Sequence, residues 1–158
     1  MLRYISGTSL FDSNADALVN PVNCAGTMGK GIAKEFAIRF PEILPPYKEA
    51  CLRGVLRPGM VMKISISVKP DYLAIKRPAI ILYATKDHWR NKSRLDWIRD
   101  GAVELSKRAS EWGLKSVAMP QVGCGLGGLN WDDVRPLLEQ VLAPNELDII
   151  VYGQHGDG

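Results

Sequence analysis

Apolar residues gather in six short runs: LRYIS near the start, ALVNPV from Ala17, MVMKISIS from Met60, AIILYAT from Ala79, SVAMP from Ser116 and LDIIVYG from Leu147. Runs of this length, flanked by Gly or Pro, predict strands, most of them buried on both faces. Between the fourth and fifth runs the period changes. Leu95, Ile98, Ala102, Leu105, Ala109 and Trp112 recur at intervals of three and four, one face of a helix. Ser93 and Asp96 predict a capping box at its start, and Gly113 stands where a left-handed C-terminal residue is wanted.

A second helix is expected from Gly29 to Phe40, burying Ile32, Phe36 and Phe40, with Pro41 ending it. A shorter one follows through PPYKEACLRG. A last helix begins between Asn130 and Asp133 and runs through PLLEQVL; Asp133 is the expected N-cap, because it leaves Pro136 in the first turn. Strands alternating with amphipathic helices predict an α/β fold, three layers in α/β/α order around a mixed, largely parallel sheet. Ligands of such folds bind at the carboxyl ends of the strands.

The 158 residues, 46% of them apolar, suit one domain, expected over 1–152 with a short flexible tail at 153–158. A net charge of +3 is too mild to declare a nucleic-acid binder, so its distribution matters more. Three cysteines without CxxC spacing form neither a disulfide framework nor a zinc site, which fits a reducing cytoplasm. No run is long enough to span a bilayer.

Chemistry concentrates at strand ends. LVNPVN passes into GTMGKGIAKEF, placing Gly26, Gly29 and Gly31 at a strand-to-helix turn that bares backbone N–H groups. One such loop is equally a structural turn, but GCGLGGL at 123–129 repeats the arrangement after SVAMPQV. Two loops side by side can grip a diphosphate. The spacing is not that of a kinase-type P-loop, and no Asp-rich run offers magnesium ligands. Asn20 and Asn23 stand where amides meet sugar hydroxyls, or simply form the turn.

A third strand ends in TKDHWRNKSR, which sets Lys86, Arg90, Lys92 and Arg94 against the single acid Asp87, with His88 and Trp89 among them. Basic side chains around an aromatic hold a phosphate backbone and stack a base. The alternative is a solvated loop with Trp89 folded onto the core. Lys86 lies at the strand terminus, where partial desolvation lowers a lysine pKa and frees a nucleophilic amine. His88 and His155 lack partners at metal-ligand spacing, and Cys24 and Cys124 are given no catalytic role.

ALVNPVNCAGTMGKGIAKEF and MPQVGCGLGGLNWDDVRPLL resemble the macrodomain family, whose fold binds ADP-ribose, and the resemblance extends over nearly the whole chain. The first motif and the TKxHWRxxS segment look like its DarG-type branch, which removes ADP-ribose by means of a lysine. Carried over by position, the resemblance implies ADP-ribose contacts at Thr8, Ser9, Leu10, Asn20, Gly26, Met28, Gly29, Gly31 and Thr85. It implies further contacts at Gly123, Cys124, Gly125, Leu126, Gly127 and Gly128. Lys86 would act at the anomeric carbon of the distal ribose, by direct attack or through a ring-opened imine, with Asn23 orienting the sugar.

The implied substrate is ADP-ribosylated single-stranded DNA, held by His88, Trp89, Arg90, Lys92 and Arg94, without cofactor or metal. The implied partner is a cognate DarT-like ADP-ribosyltransferase toxin, with the chain itself a monomer. DarG proteins have a further C-terminal domain engaging that toxin, so these residues are either a fragment or a unit that neutralises enzymatically. Thr8 replaces the Asp with which many macrodomains hold adenine, leaving adenine recognition looser or redirected. Gly127 replaces an acid found in some lysine-using relatives, against hydrolysis of protein glutamate esters. An ADP-ribose 1''-phosphate phosphatase and a non-catalytic ADP-ribose reader are the alternatives.

Overall fold

The computed structural model describes residues 1–66 and 77–153. Ser67 at the end of the third predicted strand, His155 and the tail from residue 154 lie outside the described residues. In chain order come β1 (Leu2–Ile5), β2 (Ala17–Asn23), α1 (Gly31–Arg39), α2 (Leu44–Leu52), β3 (Val61–Ile64), β4 (Ala79–Lys86), α3 (Leu95–Glu111), β5 (Ser116–Pro120), α4 (Trp131–Leu142) and β6 (Asp148–Tyr152). One sheet runs β1-β6-β5-β2-β4-β3, parallel throughout except between β3 and β4. The expected α/β fold with a mixed, largely parallel sheet is what forms.

Strand alternation sorts side chains to two faces. Val19, Ile81, Tyr83, Val117 and Met119 pack with α3 and α4, whereas Leu18, Ile80, Leu82, Ala84 and Ala118 pack with α1 and α2. Burial on both faces holds for β2, β4 and β5. It fails elsewhere: β1 exposes Arg3, Tyr4 and Ile5, β3 buries only Val61, and β6 alternates. The helices cover the middle of the sheet and leave its rim to solvent.

Two helix starts depart from the expectation. No capping box forms on α3: its N-cap is Arg94, without a side-chain cap. Asp96 turns instead to Arg94 at 3.4 Å and Arg99 at 3.9 Å, and Ser93 is buried in a loop contact. The cap of α4 is Asn130, not Asp133; its side chain accepts from the Asp132 N–H at 2.9 Å. Pro136 therefore sits inside the helix. The missing N–H costs one backbone bond, and packing of Val134, Leu137, Leu138 and Leu142 keeps the helix whole. The end of α3 is as expected: Leu114 N–H reaches the Ala109 carbonyl at 3.0 Å around Gly113, with φ +70°.

Close approach of α3 to β4 depends on Gly101. A Cβ there would lie 2.3 Å from Tyr83 Cε1, and Tyr83 is completely buried with its hydroxyl donating to the Ile98 carbonyl. Alanine normally favours a helix over glycine by about 1 kcal/mol. Here overpacking of about 1–3 kcal/mol or more prevails, so Gly101→Ala is expected to lower the urea midpoint of unfolding.

Candidate functional site

Because β2, β4 and β5 are parallel, they end on one edge, where segments 24–30, 87–94 and 121–130 converge. Backbone bonds tie the three together. Cys24 N–H donates to the Asp87 carbonyl at 3.2 Å, and Ser93 N–H to the Gly127 carbonyl at 2.9 Å. Gly31 opens α1 at φ +59°, and a Cβ there would lie 3.2 Å from Leu126 Cδ1, so the two glycine loops meet. No side chain caps α1, which leaves its first N–H groups for an anion. Gly26, Met28 and Gly29 lie on the first loop, and Gly123, Cys124, Gly125, Leu126, Gly127 and Gly128 on the second.

Lys86 and Asn23 stand side by side. A register shift between Val22 and Asn23 sets Asn23 opposite Lys86 across β2 and β4, as bulges do where a side chain must be re-aimed. Lys86 is only 9% exposed, and its Nζ donates to the Trp89 carbonyl at 3.2 Å. Among the described residues no carboxylate pairs with it. Burial pushes its ammonium below the ordinary lysine value of 10.5, which favours the neutral, nucleophilic amine. Asn23, also buried, is held on its loop: Nδ2 donates to the Thr27 carbonyl at 2.8 Å, and Oδ1 accepts from Ala25 N–H at 3.0 Å.

The other expected contacts divide. Asn20 lies in the interior, completely buried, its Nδ2 3.6 Å from Met28 Sδ and its Oδ1 without a partner among the described residues. Thr85 is buried too, its hydroxyl 3.5 Å from the Val22 carbonyl. Thr8 and Ser9 are exposed after β1, at the same edge of the sheet, where the chain enters a short turn that packs against β5. Ser9 Oγ caps the turn Leu10–Asp12, and Leu10 is buried.

Residues 87–91 close on themselves. Asp87 accepts from the His88 N–H at 2.7 Å and from Asn91 Nδ2 at 3.1 Å, bonds that hold its carboxyl below the usual range. Trp89 is 45% exposed rather than folded onto the core, with the Arg90 guanidinium 4.6 Å over its ring and the His88 ring 5.1 Å away. The Lys92 stem packs over Gly128. Arg94 leans away, paired with Asp96 and 5.8 Å over Trp97. Burial pushes the Cys24 thiol up to about 12 and that of Cys124 to about 11, values at which neither is a thiolate nucleophile. Among the described residues no cluster of metal-ligating side chains occurs, and no helix is long and apolar enough to cross a membrane.

Sequence patterns missed Tyr47 and Ser93. Tyr47, completely buried on α2, reaches Asn23, and nothing in its neighbourhood along the chain signals this. Ser93 had a local signal, the S-x-x-D spacing, which pointed to a cap rather than to the Gly127 contact.

A family model described as Macro domain matches residues 19–138. The DNA ADP-ribosyl glycohydrolase of Mycobacterium tuberculosis is 38% identical over 99% of this chain and 43% of its own length. That of Thermus aquaticus is 35% identical, over 96% and 41%. The chain thus spans about two fifths of these curated relatives. Among solved structures, the macrodomain of Mycobacterium tuberculosis DarG superposes with a TM-score of 0.88 at 36% identity, covering 98% of this chain and 99% of that one. Thermosipho africanus DarTG in complex with ADP-ribose gives 0.85 at 30% identity, covering 96% and 42%. With its fold, its paired glycine loops and these likenesses in agreement, the chain belongs to the macrodomain family and is similar to the DarG macrodomains.

Proposed function

We propose that the protein releases ADP-ribose from bases of single-stranded DNA, acting as a DNA ADP-ribosyl glycohydrolase with Lys86 as the nucleophilic amine. The carrying observation is Lys86 itself: a buried amine at a strand end, opposite Asn23 and beside two facing glycine loops. The names of the mycobacterial and Thermus relatives support the reaction. Lys86 acts on the anomeric carbon of the distal ribose, by direct attack or through the ring-opened imine, while the base departs with the bonding pair and takes up a proton. Water then frees ADP-ribose and restores the amine. The glycine loops carry the diphosphate on backbone N–H groups, and Trp89, Arg90 and Lys92 hold the strand.

A DNA-directed ADP-ribosyltransferase is the natural partner; a Thermosipho africanus relative, 31% identical over 90% of this chain and 39% of its own length, is named as a fusion of such a transferase with a glycohydrolase. DNA as substrate and free thiols support a cytoplasmic location.

The test is release of ADP-ribose from an ADP-ribosylated single-stranded oligonucleotide, run beside ADP-ribose 1''-phosphate. Release from the oligonucleotide supports the glycohydrolase; phosphate release alone makes the protein a phosphatase, and binding without turnover makes it a reader. The strand-holding role has its own signature. Arg90→Ala is expected to flatten the salt dependence of oligonucleotide affinity by roughly 0.7 in log–log slope, as read by fluorescence anisotropy, with affinity for free ADP-ribose unaltered.

A further inference from the structure

Helix α2 supplies none of the residues assigned to the crevice, yet one of its side chains reaches the wall. The Tyr47 hydroxyl lies 2.7 Å from the Asn23 carbonyl oxygen and 2.8 Å from Asn23 Oδ1, with the Thr27 carbonyl at 3.5 Å. A carboxamide has two N–H donors and two acceptor lone pairs on its oxygen. The Ala25 N–H at 3.0 Å occupies the oxygen, which also shares the single Tyr47 proton with the Asn23 carbonyl, and the Thr27 carbonyl at 2.8 Å occupies one N–H. The Thr27 N–H, at 3.5 Å from Oδ1, adds to the same side. One N–H is left.

We infer that Tyr47 is a positioning residue that fixes the Asn23 amide as a pure donor, so that the substrate atom Asn23 meets is an acceptor oxygen of the distal ribose. The inference rests on the proposed function only in taking Asn23 to face that ribose. Turning the amide over would set Nδ2 against the Ala25 N–H and Oδ1 against the Thr27 carbonyl, so the orientation is locked. Burial, with Cys51 and Cys24 nearby, pushes the phenol well above its ordinary range. The hydroxyl therefore keeps its proton at any working pH.

The test compares calorimetric affinities for ADP-ribose and for ADP, which lacks the distal ribose. Tyr47→Phe keeps the ring and removes only the hydroxyl; it is expected to weaken ADP-ribose binding roughly tenfold while ADP binding stays the same. In an Asn23→Ala background the same change is expected to have no further effect, because the tyrosine acts through the asparagine. Asn23→Asp, isosteric but without N–H donors, is expected to lose the ADP-ribose preference on its own, which keeps the donor assignment testable if Tyr47→Phe folds poorly. Equal weakening of both ligands by Tyr47→Phe, an additive loss in the double variant, or a retained preference in Asn23→Asp would overturn the inference. Absence of turnover on DNA would instead sink the glycohydrolase and leave this binding comparison intact.

Discussion

Lys86→Ala is expected to reduce release of ADP-ribose from ADP-ribosylated DNA by roughly a thousand-fold or more, about 4 kcal/mol of transition-state stabilisation. Lys86→Arg should be as inactive, since a guanidinium does not deprotonate in a protein. Affinity for free ADP-ribose should stay within a few-fold of the wild type, because the proposed grip on the diphosphate is made by backbone N–H groups rather than by this amine. Turnover that survives in Lys86→Ala would assign the chemistry to another group.

The pH profile is a second check on the same residue. In the proposed reaction only the neutral amine attacks, so while Lys86 is mostly protonated kcat should rise about tenfold per pH unit, levelling off below 10.5, where burial has placed its titration. The stability sign is opposite to that of a lysine in a salt bridge. The unfolded chain binds the proton more tightly, so stability rises with pH between the folded value and 10.5 and is lowest below that window. Lys86→Met, which keeps most of the stem and drops the charge, is therefore expected to unfold at an equal or higher urea concentration at neutral pH. Lost activity in that variant would then be lost chemistry, not lost fold.

The second large effect is expected at Gly127. A Cβ there would lie 2.4 Å from the Gly123 carbonyl oxygen and 2.5 Å from Ser93 Oγ. The carbonyl is backbone and already accepts from the Leu129 N–H at 2.9 Å, and Ser93 is anchored through its own N–H. Neither neighbour can yield as a flexible side chain would, so the whole loop must shift. Gly127→Ala is expected to weaken ADP-ribose binding roughly ten- to a hundred-fold, measured by calorimetry, with a much smaller change in the urea midpoint. Affinity like that of the wild type would mean that the second glycine loop does not carry the diphosphate. The same crowding explains why an acid at this position is no simple addition: Gly127→Asp should disrupt the loop rather than add hydrolysis of glutamate esters.

Much of this site could be read along the chain. The glycine pairs, the lysine at a strand end and the basic turn with Trp89 are contiguous, and each takes its meaning from the strand before it. Local rules failed where a distant group competed. Ser93 and Asp96 had the spacing of a cap, but Ser93 was claimed by Gly127 and Asp96 by two arginines. Pro136 argued for a late start to α4, but the apolar face of that helix, buried against α3, outweighed one missing backbone bond. Asn20 and Asn23 looked equivalent, three residues apart, and strand geometry sent one into the core and the other to the edge.

What the order of residues dictates here is whatever depends on nearest neighbours: hydrophobic period sets strand or helix, glycine and proline set the turns, and strand–helix alternation sets a largely parallel sheet whose loops meet at one edge. What needed the folded chain is whatever depends on residues far apart meeting at a given distance. The bulge that sets Asn23 opposite Lys86, the tyrosine that locks its amide, and the absence of room at Gly127 each arise between segments that pack only in three dimensions. Hydrogen bonds and steric contacts vary over fractions of an ångström, and no pattern of residue types along a chain holds information at that scale.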